Sequence, residues 1–157
     1  MEDDESLASV PTLNSILDSM AFTRDLGVLV EAVDRGECTS KVPFKPELER
    51  LGGIVAGHIY MTAADVAFWL AIATRLGADH SAVTTYLTTS FLQSARQEPV
   101  WCTARILRLG RRQAYGVAEC HNASGTLFTP HRDIRPLSRQ RGQRTVEQAR
   151  LPAVVTG

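Results

Sequence analysis

The chain has 157 residues, a length at which a single domain is the usual arrangement. Its hydrophobic share of 44% and charged share of 22% are ordinary for a folded globular protein and exclude disorder throughout. No run of about 18 apolar residues is free of polar breaks, so we expect no membrane span. The acidic start MEDDES lacks the positive charge of a signal peptide, so we do not expect secretion.

The 17 basic and 17 acidic residues cancel, but they are unevenly distributed along the chain. Residues 1–50 have a net charge of −6, whereas residues 101–157 have ten arginines and a net charge of +7. The neutral total argues against a nucleic-acid partner. The late excess of arginine predicts one contact zone for an anion, because guanidinium groups suit phosphate-bearing and planar anions.

The three cysteines, Cys38, Cys102 and Cys120, have no CxxC spacing, so we expect reduced thiols and a cytoplasmic location. The four histidines are too scattered to suggest a metal cluster. Neighbouring residues of a strand face opposite sides, so Cys120 and His121 are not expected to form a nucleophile pair. The chain also lacks the GxSxG elbow of serine hydrolases.

The N-terminal third predicts a short helix followed by a hairpin. Residues 13–20 have apolar side chains at helical spacing, with Thr12 as the N-cap. Apolar residues alternate from residue 26 to residue 33, which predicts a strand. A second strand is predicted at residues 38–44, after an Asp-Arg-Gly turn. Residues 46–53 are interpreted as a loop.

The longest apolar segment, residues 58–76, contains no glycine or proline and predicts a helix buried on most sides and ended by Gly77. Four strand candidates follow it, at residues 83–92, 100–109, 113–121 and 125–134. Pro130 predicts an edge position or a bulge for the last strand. This element order predicts an α+β fold in which an antiparallel sheet wraps one long helix.

Asp65 is the most informative position of that helix. Its helical neighbours three and four residues away on either side, and seven residues later, are Met61, Thr62, Phe68, Trp69 and Ile72, of which only Thr62 is polar. Burying an unpaired carboxylate costs on the order of several kcal/mol. Asp65 is therefore either hydrogen bonded to a hydroxyl or amide within the core, or a desolvated general base or nucleophile.

Four segments in this order resemble the hotdog-fold acyl-CoA thioesterases of the phenylacetate-pathway type. They are GGIVAGHIYMTAADVAFW (52–69), VTTYLTTSFLQSA (83–95), LRLGRR (107–112) and NASGTL (122–127). The resemblance covers residues 22–136 and implies a hotdog domain there, between an N-terminal segment (1–21) and a flexible basic tail (137–157). It also implies hydrolysis of an acyl-CoA thioester, a homodimer or homotetramer, and no cofactor beyond the coenzyme A of the substrate.

The resemblance assigns the catalytic carboxylate to Asp65, which activates water or attacks the thioester carbonyl. The His-Gly-Gly triplet of the family falls on Ala56-Gly57-His58, so alanine replaces the usual histidine. The N–H groups of Gly57 and His58, at a helix start, would then hold the developing oxyanion. Thr84 lies where relatives have a Ser or Thr that orients the attacking water.

Two of these assignments have a structural alternative. His58 either caps the helix or contacts a neighbouring strand, or its imidazole contacts the thioester in place of the missing histidine. Thr84 and Thr85 are also good strand formers. Alternation turns only one of the two threonines toward the helix, and the strand register favours Thr84.

The arginines near the third predicted hairpin are Arg105, Arg108, Arg111 and Arg112. Their side chains either lie in solvent at an edge of the sheet or bind the phosphates of coenzyme A. The resemblance favours Arg111 and Arg112, with Arg108 beside them, because coenzyme A commonly lies near this hairpin across a subunit interface. The large aromatic pair Phe68 and Trp69 is expected to pack at such an interface.

Two other functions compete with hydrolysis. A hotdog hydratase or dehydratase pairs a histidine with an acid, but Leu70 occupies the position five residues after Asp65 where one such class needs histidine. A non-catalytic protein that binds acyl-CoA is the other alternative, because the altered triplet changes the shape of the pocket.

Overall fold

The computed structural model describes residues 6–137, and it describes side chains for residues 6–125. The predicted flexible tail therefore lies outside the described residues, apart from its first residue. The elements in chain order are α1 (Val10–Ser19), α2 (Ala21–Leu26), β1 (Leu29–Asp34), β2 (Glu37–Val42), β3 (Glu49–Arg50), β4 (Ile54–Val55), α3 (Gly57–Leu76), β5 (Ser81–Phe91), β6 (Val100–Leu109), β7 (Ala114–Asn122) and β8 (Gly125–Leu137).

Six strands form one antiparallel sheet in the order β1-β2-β6-β7-β8-β5, and β3 pairs with β4 in a separate hairpin. Helix α3 packs across β2, β6 and β7 on one face of the sheet. The predicted fold class, an antiparallel sheet wrapped around one long helix, is confirmed.

Small side chains on β6 and β7 let α3 lie close to the sheet. The residues that face the helix are Cys102, Ala104, Ala118 and Cys120, all of them buried. Gly116 completes this set, because a Cβ there would overlap the ring of Phe68 and the carbonyl oxygen of Arg105. The Phe68 ring therefore occupies the space above Gly116, and this contact fixes how α3 is seated.

The C-terminal end of α3 is hydrogen bonded to the turn between β1 and β2. The Thr74 hydroxyl donates to the carbonyl of Ala71 and accepts from the N–H of Gly36, each at 2.7 Å. Gly36 has a φ of 85°, as the predicted turn requires. Among the described residues, α3 alone is long and apolar enough to cross a membrane, but most of it is buried inside the protein, as in any core helix.

The N-terminal region differs from the prediction in two places. Helix α1 begins three residues earlier than expected, and its N-cap is Ser9 rather than Thr12, whose N–H donates to the Ser9 hydroxyl across 3.4 Å. The strand was expected to begin at Leu26, but Leu26 is the last residue of helix α2. Gly27, with a φ of 73°, ends α2 and lets β1 begin at Leu29.

Two further expectations were wrong in detail. The predicted loop at residues 46–53 contains a 3-10 turn, Pro46–Leu48, and strand β3. Of the two alternatives for Pro130, the edge position is wrong, because strand β8 lies inside the sheet between β7 and β5. The register between β7 and β8 shifts between Cys120 and His121 rather than at Pro130. Strand β8 pairs with β7 at Val117↔His131 and again at Cys120↔Phe128. Pro130 lies between these two pairs, where its lack of an N–H leaves no hydrogen bond to donate.

Candidate active site

One stripe of α3 is not covered by the sheet. It consists of His58, Met61, Thr62, Asp65 and Trp69, all at least partly exposed. Their spacing of three and four residues places them on one face of the helix. Because the other faces of α3 are buried in the core, this stripe is where the helix can present side chains to a ligand.

Asp65 lies at the middle of the stripe and is hydrogen bonded to β5. The hydroxyl of Thr84 donates to Oδ1 of Asp65 across 2.7 Å. The register between β5 and β8 shifts between Thr84 and Tyr86. The structure thus brings together the carboxylate and the hydroxyl that the sequence singled out. Asp65 has the hydroxyl partner expected of a core carboxylate, but it is half-buried rather than sealed in the core.

The Asp65–Thr84 pair borders a cavity of about 300 Å³, which we call the Asp65 cavity. Its other lining residues are all apolar: Met20, Phe22, Val66, Trp69, Ile72, Ala82 and Val83. Pockets that bind small molecules are mostly apolar, with a few polar groups at fixed places. The cavity therefore has the composition of a binding pocket whose polar groups converge on one point.

His80 holds together two parts of the cavity wall, Trp69 on α3 and Ala82 on β5. Its ring lies on the Trp69 ring with centroids 4.6 Å apart. Nδ1 of His80 accepts from the Ala82 N–H across 3.2 Å, so the proton lies on Nε2, which donates to the Trp69 carbonyl across 3.1 Å. Burial lowers the pKa of His80, which favours this neutral form.

A second cavity, of about 390 Å³, opens at the start of α3, and we call it the helix-start cavity. It is lined by Arg50, Ile54, Val55, Gly57, Tyr60, Phe91, Leu92, Gln93 and Ser94. A Cβ on Gly57 would lie 3.1 Å from the Phe91 ring, so glycine lets this ring approach the helix. The N–H groups of a first helical turn have no acceptor within the helix and form the positive end of its dipole.

The two cavities are separated along α3. Gly57 precedes Asp65 by eight residues, which corresponds to a rise of about 12 Å. A single thioester carbonyl cannot contact both the Asp65 carboxylate and the Gly57 N–H of one chain. The structure therefore does not bring the predicted base and the predicted oxyanion donors together within one copy of the protein.

His58 is exposed on the same stripe as Asp65, about two turns away. The N-cap of α3 is Ala56, and α3 has no side-chain cap hydrogen bond. The interpretation of His58 as a helix cap is therefore wrong, and its side chain is available at the surface beside the helix-start cavity.

The arginines Arg108, Arg111 and Arg112 are exposed on and beside the turn that joins β6 to β7. Ile134 of β8 pairs with Thr84 on one side and with Ala114 on the other, which places the start of β7 level with Thr84, about 10 Å away across two strand spacings. The arginine turn and the Asp65–Thr84 pair thus lie at the same end of the sheet.

Arg105 differs from these three arginines. Its Nε lies 2.6 Å from Oε2 of Glu37, directly across the pairing of β2 with β6. Its guanidinium is therefore engaged by a neighbouring carboxylate.

The structure bears on the expectations for Phe68, for Leu70 and for the pair Cys120 and His121. Phe68 is buried against Gly116 within its own chain, so the expectation that it packs at a subunit interface was wrong. Leu70 is fully buried and does not border the Asp65 cavity. Cys120 is buried, whereas His121 lies on the other face of β7 and stacks on Trp101, with centroids 6.1 Å apart.

The cysteines do not have the environment of a nucleophile. All three are free and buried. Burial raises the pKa of the Cys38 thiol to about 12 and that of Cys102 well above its ordinary value, so neither forms the reactive thiolate at neutral pH.

Sequence reasoning missed residues that border the two cavities from distant parts of the chain. Phe22 comes from α2 and Met20 directly precedes that helix. Arg50 comes from β3 and Phe91 from the end of β5. No local signal in the sequence could have found them, because their place beside a cavity depends on how α2 and β3 pack against α3.

The family described as the Thioesterase superfamily matches residues 52–129. A candidate esterase of Saccharolobus solfataricus is 31% identical over 102 residues, covering 65% of this chain and 72% of the relative. A candidate esterase of Thermoplasma acidophilum is 28% identical over 115 residues, covering 73% of this chain and 86% of the relative.

Two solved structures have the same fold. A thioesterase of Haemophilus influenzae superposes with a TM-score of 0.80 at 15% identity, covering 90% of this chain and 99% of that one. The PaaI protein of the phenylacetic acid degradation operon of Escherichia coli gives a TM-score of 0.73 at 17% identity, covering 79% of this chain and 89% of that one. The predicted hotdog fold is confirmed by this likeness.

Proposed function

Because this chain belongs to the thioesterase superfamily, we propose that it hydrolyses acyl-CoA thioesters to a free acid and coenzyme A. The observation that carries the proposal is the hydrogen bond between Thr84 and Asp65 at the border of an apolar cavity. This arrangement supplies a carboxylate base at the point where the reactive end of an apolar acyl group would lie.

In the proposed reaction Asp65 takes a proton from water as the water oxygen attacks the thioester carbonyl. The tetrahedral oxyanion then collapses, the C–S bond breaks, and the leaving thiolate of coenzyme A takes the proton from Asp65, which restores the carboxylate. Thr84 holds the carboxylate in place, and a carboxylate has about four lone-pair sites, so the same group can also accept from water. Direct attack by Asp65, followed by hydrolysis of the resulting anhydride, gives the same products.

The oxyanion donors in this proposal come from a second copy of the chain. Strand β5 is an edge of the sheet, is 11 residues long, and exposes Val83, Tyr86 and Phe91. A long apolar edge strand favours pairing with another chain. A two-fold axis that pairs two β5 edges antiparallel also makes the two α3 helices antiparallel, so that Gly57 and His58 of one copy approach Asp65 of the other.

We further propose that Arg111 and Arg112, with Arg108 beside them, hold the phosphates of coenzyme A. Their exposure and their position at the same end of the sheet as Thr84 support this assignment. Guanidinium groups bind phosphate through paired N–H donors, and the long pantetheine arm separates the phosphates from the thioester.

The test is release of free thiol from a panel of acyl-CoAs by the wild-type protein and by Asp65→Asn. We expect the variant to lose about 10²–10⁴-fold in kcat/KM, the usual contribution of a general base. Asp79→Asn is the matched control, because Asp79 is exposed after the end of α3 and does not border the Asp65 cavity.

Equal rates for the wild type and Asp65→Asn would reject the assignment of Asp65. Binding of acyl-CoA without thiol release would identify a non-catalytic binding protein, which the alanine at position 56 of the altered triplet favours. Hydration of an enoyl-CoA without thiol release would identify a hydratase.

A further inference from the structure

We propose that the Asp65 cavity is the acyl pocket and that it selects uncharged, apolar acyl groups of about ten non-hydrogen atoms. This proposal rests on the proposed thioester hydrolysis and names the substrate class of the same site. A medium-length alkyl chain and an aryl-alkyl group share this chemistry.

The size follows from the volume of the cavity. The cavity encloses about 300 Å³. A water molecule has a share of about 30 Å³ in the liquid, so the cavity holds about ten non-hydrogen atoms. Acetyl groups would leave most of it empty, whereas acyl chains of 16 carbons exceed it.

The polarity follows from the lining. Seven of the nine lining side chains are apolar, and the two polar ones, Asp65 and Thr84, are hydrogen bonded to each other. The floor of the cavity is formed by Val66 and Ile72, which are 6% and 1% exposed. An acyl group with a terminal carboxylate would bring a second negative charge near Asp65 and would have to be desolvated, so such substrates are excluded.

Helix α2 closes one side of the cavity and is anchored to the core. It contributes Phe22, and Met20 directly precedes it. Thr23 is fully buried, and its hydroxyl donates to the Leu17 carbonyl across 2.5 Å. The left-handed Gly27 ends the helix. This anchored wall bounds the pocket on the side of α2.

The opposite wall is also fixed, because His80 joins Trp69 to Ala82 through a ring contact and two hydrogen bonds. The mouth of the cavity is the part exposed to solvent. There Phe22 is 53% exposed, an apolar surface that a bound acyl group would cover.

Kinetics across an acyl-CoA series tests the pocket. We expect kcat/KM to rise by up to about fourfold for each methylene added between 2 and 8–10 carbons. It should then fall by 16 carbons, and succinyl-CoA should be a poor substrate. Phenylacetyl-CoA distinguishes an aryl-alkyl from an alkyl preference.

Trp69→Leu should shift the optimum to longer chains, because it enlarges the cavity. Trp101→Leu is the matched control, since Trp101 lies on the outer face of the sheet, where its Nε1 donates to Glu31. The control should leave the chain-length profile unchanged. A profile that is flat in the wild type, or that shifts equally in both variants, would overturn the proposal.

Binding gives a readout that does not need turnover. The chain has two tryptophans, so Trp101→Phe leaves Trp69 as the only one. In a Trp101→Phe, Asp65→Asn protein, decanoyl-CoA should change the Trp69 fluorescence in a saturable way, whereas acetyl-CoA should not.

The two proposals fail separately. Saturable binding of decanoyl-CoA together with no thiol release by the wild type would reject hydrolysis and support the pocket. Thiol release at equal rates from acetyl-CoA and decanoyl-CoA, with no fluorescence response, would reject the pocket while hydrolysis stands.

Discussion

The two cavities along α3 differ in what they offer to a thioester. The Asp65 cavity is apolar apart from one carboxylate and its hydroxyl partner. The helix-start cavity combines apolar walls with Arg50, Gln93, Ser94 and the first turn of α3, and so it provides hydrogen-bond donors. Hydrolysis needs a base on one side of the carbonyl and donors for the oxyanion on the other. In the proposed reaction Asp65 is the base and the Gly57 N–H is a donor, and within one chain these two groups lie about two helical turns apart.

The largest expected effect comes from mixing two inactive variants. Asp65→Asn removes the base, and Gly57→Val covers the helix-start N–H groups and displaces the Phe91 ring that lies 3.1 Å from a Cβ at this position. Each variant refolded alone should lose about 10²-fold or more. If the site is shared between copies, heterodimers have one intact site, and statistical mixing restores about a quarter of the wild-type rate.

The measurement is thiol release after the two variants are unfolded together and refolded. Refolding each variant alone is the control. A mixture that stays inactive, although heterodimers are present, would place the whole site in one chain.

The next effect tests the connection between Asp65 and β5. Thr84→Val removes a hydrogen bond to a carboxylate, worth about 1.5–3 kcal/mol, so kcat/KM should fall about 10–100-fold. Thr84→Ser keeps the donor and should retain most activity. Thr88→Val, at an exposed position four residues further along the same strand, serves as the control. Full activity in Thr84→Val, or a loss in Thr84→Ser as large as that in Thr84→Val, would contradict a role for the Thr84 hydroxyl as donor.

A smaller effect is expected at the β6–β7 turn. Replacing both Arg111 and Arg112 by alanine should raise KM for acyl-CoA about threefold to tenfold without changing kcat. The effect should shrink at high salt, because exposed charges are screened. Arg105→Ala, which removes an arginine already paired with Glu37, should leave KM unchanged. An unchanged KM in the double variant would reject the proposal that this turn binds coenzyme A.

The smallest effect concerns His80 and stability. Burial lowers the pKa of His80 from its ordinary value of 6.5, although its bond to Trp69 and the charge of Asp79 act in the opposite direction. The unfolded chain therefore binds this proton at higher pH than the folded protein. The contribution is complete above about pH 6.5 and is lost as the pH falls toward the lower folded pKa.

Urea unfolding at pH 7.5 and 5.5 measures this loss, which should not exceed about 1 kcal/mol because the imidazole is only partly buried. The pH dependence should be weaker in His80→Gln than in the matched variant His121→Gln. Identical pH profiles for the two variants would contradict the assignment.

Much of the fold could be predicted because it depends on neighbours in the chain. The boundaries of β6 matched the expected residues 100–109, and α3 began one residue before the expected start. Helix α2 was missed because six residues are too short to show helical periodicity. The alternation of apolar residues from residue 26 to residue 33 runs across the left-handed Gly27, so it predicted a strand that begins too early.

The candidate site was only partly predictable for a related reason. Asp65 stood out because a lone carboxylate among apolar helical neighbours is costly. Phe22 and Arg50 carried no such local signal, because their place beside a cavity depends on how α2 and β3 pack against α3. Phe68 was misjudged as an interface residue, because nothing near it in the chain indicates the space above Gly116.

The sequence by itself determined the order of the elements, the buried central helix and the isolated carboxylate on it. Periodicity, turn residues and the cost of burying charge act over a few residues and can be read locally. Only the tertiary structure decided that Asp65 meets Thr84, 19 residues away, that α2 closes the cavity beside them, and that Gly57 lies in a different cavity. Those relations depend on strand register and on the seating of α3 on the sheet, which form only when distant segments pack together.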